Sequence, residues 1–220
     1  MSEPASGSHR RCAREAVAFA LAAALGACSI PRPESVVPTS YDFGPPPGYV
    51  RSNPAIGGTV LIPPVGAPAW LDDAGIVYRL LYEDPSRTHV YAINRWAAEP
   101  AALLTDRVRA RFSAASVGVV APGFSARSDY TLRLELEDFS QHFKGPAQST
   151  VQLRARATLL DSDGRRLLAQ RVFDYDRAAE PNAPGAVKAL AGATDAFVED
   201  LVKWTAEHAK GAVRKGDEKR

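Results

Sequence analysis

The chain has 220 residues, with Lys+Arg 27 against Asp+Glu 25 and a formal net charge of +2. Hydrophobic residues make up 45% and charged residues 24%, a soluble globular balance that excludes a polytopic membrane protein and a wholly disordered chain. So even a charge supplies no basic face for nucleic acid, and two cysteines, four histidines and one methionine argue against a disulfide scaffold or a soft-metal site.

The N-terminus reads as an address and an anchor. Arg10, Arg11 and Arg14 form a positive region, followed by the uncharged apolar run Ala16–Leu25. That run falls well short of the roughly 20 residues a bilayer span requires, and it has the length of a secretory signal core. Leu25-Gly26-Ala27-Cys28 then places small residues before a cysteine. The segment resembles the bacterial lipobox, in which the cysteine thiol is alkylated with a diacylglyceryl group, the signal is cut just before it and the new amine is acylated. The resemblance implies a signal peptide over 1–27, lipidation (palmitate among the acyl chains) at Cys28 and a lipid-anchored protein. Two or more buried acyl chains hold stably, at about 0.8 kcal/mol per methylene. Ser29, where an Asp would commonly retain a lipoprotein in the inner membrane, resembles an outer-membrane signal and implies the periplasmic face of that membrane.

Residues 28–57 read as the lipidated cysteine and a proline-rich tether. Ten of the 17 prolines lie between Pro31 and Pro68, including Pro45-Pro46-Pro47. Such a stretch favours polyproline II and would reach about 90 Å if extended at ~3.1 Å per residue. Tyr41, Phe43 and Tyr49 leave open a second reading, in which this segment docks on the domain or on a partner.

A folded domain is expected over 58–209. Thr59-Val-Leu-Ile-Pro63, Ile76-Val-Tyr-Arg-Leu-Leu-Tyr82 and His89-Val-Tyr-Ala-Ile93 predict three strands. Glu99-Pro100 opens a helix whose Leu104, Val108 and Phe112 share a face, with Arg107, Arg109 and Arg111 read as solvated. Tyr130 to Glu137 alternates apolar with polar, as does Val151 to Leu159, and Asp161-Ser-Asp-Gly164 turns the chain into a third strand through about Asp176. Arg154 and Arg156 are expected opposite Glu135 and Glu137. Asn182-Ala-Pro184 starts a last helix with a stripe through Leu190, Thr194, Phe197, Leu201 and Thr205. Residues 210–220 read as a charged, disordered tail. The expected fold class is α+β: a mainly antiparallel sheet with two helices on one face, in the order three strands, helix, three-strand meander, helix.

The sequence carries no recognisable catalytic pattern. Pro122-Gly-Phe-Ser125-Ala only distantly matches a nucleophile elbow, and neither His89 nor His142 has an acidic partner at usable spacing. Asp161-x-Asp163-Gly164 lacks the later Glu of a calcium loop, so it is read as a hairpin turn. The expectation is a non-enzymatic protein without metal or cofactor.

Three residue groups carry a family resemblance: Thr59-Val-Leu-Ile-Pro-Pro-Val65; Trp70-Leu71-Asp72 with Ile76-Val-Tyr-Arg79; and Tyr91 with Arg95-Trp96 and Pro100. Together with the lipobox they resemble the auxiliary lipoproteins of ABC-type transporters, of the Pqi and mammalian-cell-entry (MCE) lipid-transport kind. Asp73-Ala74-Gly75 and Leu80–Arg87 depart from that pattern. The resemblance implies an outer-membrane lipoprotein that docks an MCE-type periplasmic substrate-binding protein, with homo-oligomerisation allowed and ATP hydrolysis left to another subunit. Trp70, Tyr78, Tyr91 and Trp96 are the candidate docking surface, with core packing as the competing reading of the same rings. A binding or assembly module of another envelope complex is the alternative function, and a hydrolase using Ser125 is a third.

Overall fold

The computed structural model describes residues 37–49, 55–124 and 126–217, with side chains up to Ala209. The chain divides into residues 1–37 and 38–220, and the architecture below belongs to the second unit. The signal region, Cys28 and Ser125 lie outside the described residues.

Eight strands form one mixed sheet: β1 Thr39–Tyr41, β2 Ile56–Leu61, β3 Gly75–Leu80, β4 His89–Trp96, β5 Ser116–Val120, β6 Tyr130–Gly145, β7 Gln148–Leu160 and β8 Leu167–Ala179. Among the described residues two α-helices, α1 Pro100–Ala115 and α2 Ala183–Asp217, complete the domain, with a 3-10 turn at Ala69–Leu71. The expected mainly antiparallel sheet of two three-strand groups is therefore corrected. Among the described residues β1–β4, β2–β5, β2–β6 and β3–β6 pair in parallel, and only β3–β4, β6–β7 and β7–β8 pair antiparallel. The reason lies in β6. This long strand keeps β7 along one edge, while its other edge takes β2 at Tyr130–Thr131 and β3 at Gln141–Phe143. A strand shared in this way joins the two halves into one sheet.

The helix α2 covers the inner face of β7 and β8. Val151, Leu153, Ala155, Ala157 and Leu159 of β7 are buried at every second position. Phe173 of β8 meets Phe197 edge-on at 5.3 Å between centroids and Trp204 at 6.0 Å. The helix supplies Leu190, Thr194, Phe197, Val198 and Leu201 to this contact, and all are fully buried. Asn182 caps it through Oδ1, which accepts from the Gly185 amide at 2.7 Å. Its backbone continues to Asp217, through most of the segment expected to be a disordered tail.

One bulge sets the phase of β6. Register with β7 runs Leu136↔Ala155 and then Asp138↔Arg154, so Glu137 is extra. Before it, Tyr130, Leu132, Leu134 and Leu136 point inward; after it, Phe139, Gln141 and Phe143 do. The displaced Glu137 carboxylate accepts from Arg154 Nε at 2.9 Å and from Arg156 Nη2. Arg156 also lies 3.7 Å from Glu135, so the expected charge pairing across these strands is present.

Candidate functional site

The four candidate aromatic residues do not share one surface. Trp96 ends β4 and is fully buried. Its ring packs edge-on to Phe43 at 5.5 Å and against Phe139 at 5.6 Å, while its indole Nε1 has no hydrogen-bond partner among the described residues. Large aromatic side chains that meet in this way carry much of a core's burial energy. Trp70 sits in the 3-10 turn, half-buried, with the Arg79 guanidinium 4.9 Å from its ring centre. It borders a groove of about 510 Å³ lined also by Gly66, Pro68, Glu135 and Glu137.

Tyr78 and Tyr91 do come together. They lie on the neighbouring strands β3 and β4 with centroids 4.8 Å apart. His89 stacks on Tyr78 at 5.0 Å and Phe143 meets it at 5.7 Å. Both tyrosines are half-buried, so the cluster is anchored on one side and open on the other. The Tyr91 hydroxyl donates to Gln141 Oε1 at 2.7 Å. Gln141, fully buried, donates onward to Ser149 Oγ and to the Glu180 carbonyl, and Ser149 donates to the Ala179 carbonyl. This chain of bonds ties β4, β6, β7 and the approach to α2 together. Burial pushes the Tyr91 pKa up to about 12.

A second constellation was missed in the sequence. Asp138, Ser140 and His142 occupy alternate positions of β6, the period-two spacing that puts side chains on one face. Ser140 Oγ donates to Asp138 Oδ1 at 2.5 Å and lies 3.0 Å from His142 Nε2. Asp138 Oδ2 lies 3.6 Å from that same nitrogen. A catalytic triad sets the imidazole between acid and nucleophile, one nitrogen to each. Here both oxygens address Nε2 and Ser140 is fully buried, so the arrangement secures the strand and exposes no nucleophile. Among the described residues no group of three side chains could hold a metal ion. No helix among them is long and apolar enough to cross a membrane.

The sequence also understated Arg107. It was expected in solvent, yet it is buried between the helices. Its Nη2 donates to the carbonyls of Phe43 at 2.7 Å and Gly44 at 2.6 Å, and Nη1 lies 3.4 Å from Asp195 of α2. Burial raises the Asp195 pKa against the pull of Arg107. Arg109, likewise expected in solvent, donates to the Ile62 carbonyl, and Arg111 pairs with Glu199 at 2.6 Å. The signal for all three would have been their place on a helix with a neighbour to pack against, which a single-helix pattern does not contain.

Residues 41–202 match the family model of the ABC-type transport auxiliary lipoprotein component. None of the curated proteins matches the chain. Among solved structures the chain is similar to protein XCC0632 from Xanthomonas campestris, of the DUF330 family, with a TM-score of 0.66 and 22% identity over 81% of this chain and 96% of that one. An uncharacterized protein of known structure follows with a TM-score of 0.57 and 18% identity, over 76% and 97%. At these identities the two structures speak for the fold alone.

Proposed function

The chain belongs to the family of ABC-type transport auxiliary lipoprotein components, and we propose from that premise that it is the non-enzymatic docking element of an MCE- or Pqi-like lipid-transport system. In this reading Cys28 carries the lipid anchor, the membrane is the outer one and the domain faces the periplasm. Its partner is the MCE-type substrate-binding protein of the transporter. The observation that carries the reading is the family match over most of the domain. The lipobox pattern Leu25–Cys28 and Ser29 supports the placement.

The docking surface we assign is narrower than the four aromatic residues of the sequence. Tyr78 and Tyr91, with His89 beside them, offer half-buried rings on adjacent strands, and Trp70 with Arg79 offers a second contact. Rings held from behind and open in front suit a binding site, because little side-chain freedom remains to be lost on association. Trp96 serves by packing beneath β4.

The test is a pull-down of the tagged full-length protein from its native host in mild detergent. An ABC permease, its ATPase and an MCE-type protein are expected in the eluate. The variant Tyr78→Ala is expected to lose the MCE-type protein while keeping the circular-dichroism spectrum and lipidation of the parent. Recovery of intact lipidated protein with no transporter subunit would overturn the assignment.

A further inference from the structure

We propose that residues 39–49 form a clasp, closed by Arg107, that sets how far the domain can stand from its lipid anchor. The proposal rests on the reading that Cys28 carries that anchor.

Three kinds of contact hold the segment. The first is backbone: Thr39, Ser40 and Tyr41 pair in parallel with Asn94, Arg95 and Trp96, and the Ala97 amide donates to the Tyr41 carbonyl at 2.6 Å. The second is core: Phe43 is buried against Trp96 and Phe139. The third is charge. Arg107 donates from one nitrogen to two successive carbonyls of the segment, and Gly44, at φ +70°, provides a backbone bend that other residues resist. Beyond the bend, the Tyr49 ring lies 5.2 Å from the Arg111 guanidinium. A buried guanidinium needs acceptors, and α2 offers Arg107 only the Asp195 carboxylate, whose Oδ1 lies 3.4 Å from Nη1 without forming a hydrogen bond. The carbonyls of Phe43 and Gly44 therefore satisfy a charge that the helices by themselves leave short of acceptors.

Chain length turns this into a distance. Ten residues, Ser29 to Pro38, separate Cys28 from β1. Eleven Cα steps cover no more than about 40 Å. Without the clasp the first strand of the sheet would be β2 at Ile56, and 28 steps cover about 100 Å. The clasp removes more than half of the reach. The anchor's leash is then about 40 Å of chain at most, in place of about 100 Å.

The test inserts about ten Gly/Ser residues at either of two places in the full-length lipidated protein. One insertion follows Ser35, upstream of the clasp; the other follows Arg51, between the clasp and β2. A donor fluorophore on Asp163→Cys and acceptor lipids in proteoliposomes report the distance to the bilayer. The upstream insertion is expected to lower energy transfer, and the downstream one to leave it at the parental value. An equal fall for both insertions, or no fall for either, overturns the proposal. Hydrogen exchange gives a reading free of the anchor. The Ala97 amide should be protected in the parent and should lose that protection in Arg107→Ala. Free exchange of Ala97 in the parent would overturn the clasp, whereas a Cys28 peptide without diacylglyceryl mass would overturn only the anchor on which the distance depends.

Discussion

At the residue scale, the two tryptophans of the candidate surface separate by burial. Trp96→Ala should lower unfolding stability by about 3–5 kcal/mol, because it empties a fully enclosed site between Phe43 and Phe139. Trp70→Ala should cost about 1 kcal/mol or less, since that ring is half-buried and its cation–π partner stays hydrated. Urea denaturation of both variants checks the contrast. Tyr91 makes a pH prediction. Its folded-state pKa of about 12 stands above the ordinary phenolic value, so the folded chain holds this proton more tightly than the unfolded chain. The stabilisation is complete below about pH 10 and is lost as pH rises towards 12. Tyr91→Phe should flatten part of that alkaline fall. A residual fall should remain from Tyr175, which burial and its bond to Asp200 also hold up. At neutral pH the same variant should cost about 1–3 kcal/mol, because Gln141 Oε1 loses its donor.

At the scale of elements, the bulge at Glu137 decides which residues of β6 face the core. Deleting Glu137 would turn Phe139 and Phe143 outward and Asp138, Ser140 and His142 inward, so the product should fail to fold, as judged by loss of a cooperative unfolding transition. Glu137→Gln keeps the extra residue and should fold with a loss of about 1 kcal/mol, since Arg154 and Arg156 are substantially exposed. The strands β2, β3 and β4 were legible from their β-branched and aromatic runs, as was the meander of β6, β7 and β8 from its alternation. The turn at Asp161–Gly164 was legible from its residues, and Gly164 does adopt φ +66° there. Two strands were not. Thr39–Tyr41 is too short and too close to prolines to carry a period, and Ser116–Val120 follows α1 without a turn signal. Parallel pairing was hidden for a different reason. Alternation tells which face a strand buries, whereas its direction relative to a neighbour 60 residues away depends on the connections between them. The same limit applied to the candidate site. Aromatic residue types were visible, but the burial of Trp96 depends on Phe43, which the sequence left open between a free tether and a segment docked on the domain or on a partner.

At the scale of the molecule, the folded unit extends upstream of the first regular pattern in the sequence. A chain beginning at Pro38 should unfold cooperatively, because it keeps β1, Phe43 and the acceptors of Arg107. A chain beginning at residue 55 should be markedly less stable and should aggregate, since Trp96 and Phe139 lose their cover. Thermal unfolding of the two fragments side by side measures the difference.

The pairing of β2 and β3 with β6 also orders events in time. As the chain emerges N-terminus first, β3 and β4 can close as a hairpin at once, but β2 waits for β5 and β6, more than 50 residues later. Until Gln141–Phe143 arrives, β3 has one open edge, and until Val151–Leu159 arrives, β6 has another. Most long-range contacts are thus made late and nearly together, a topology that folds slowly and leaves apolar edges open to wrong partners in the interval. A holding chaperone would be needed most in the period before β6 is complete, and least once α2 has covered the apolar face of β7 and β8.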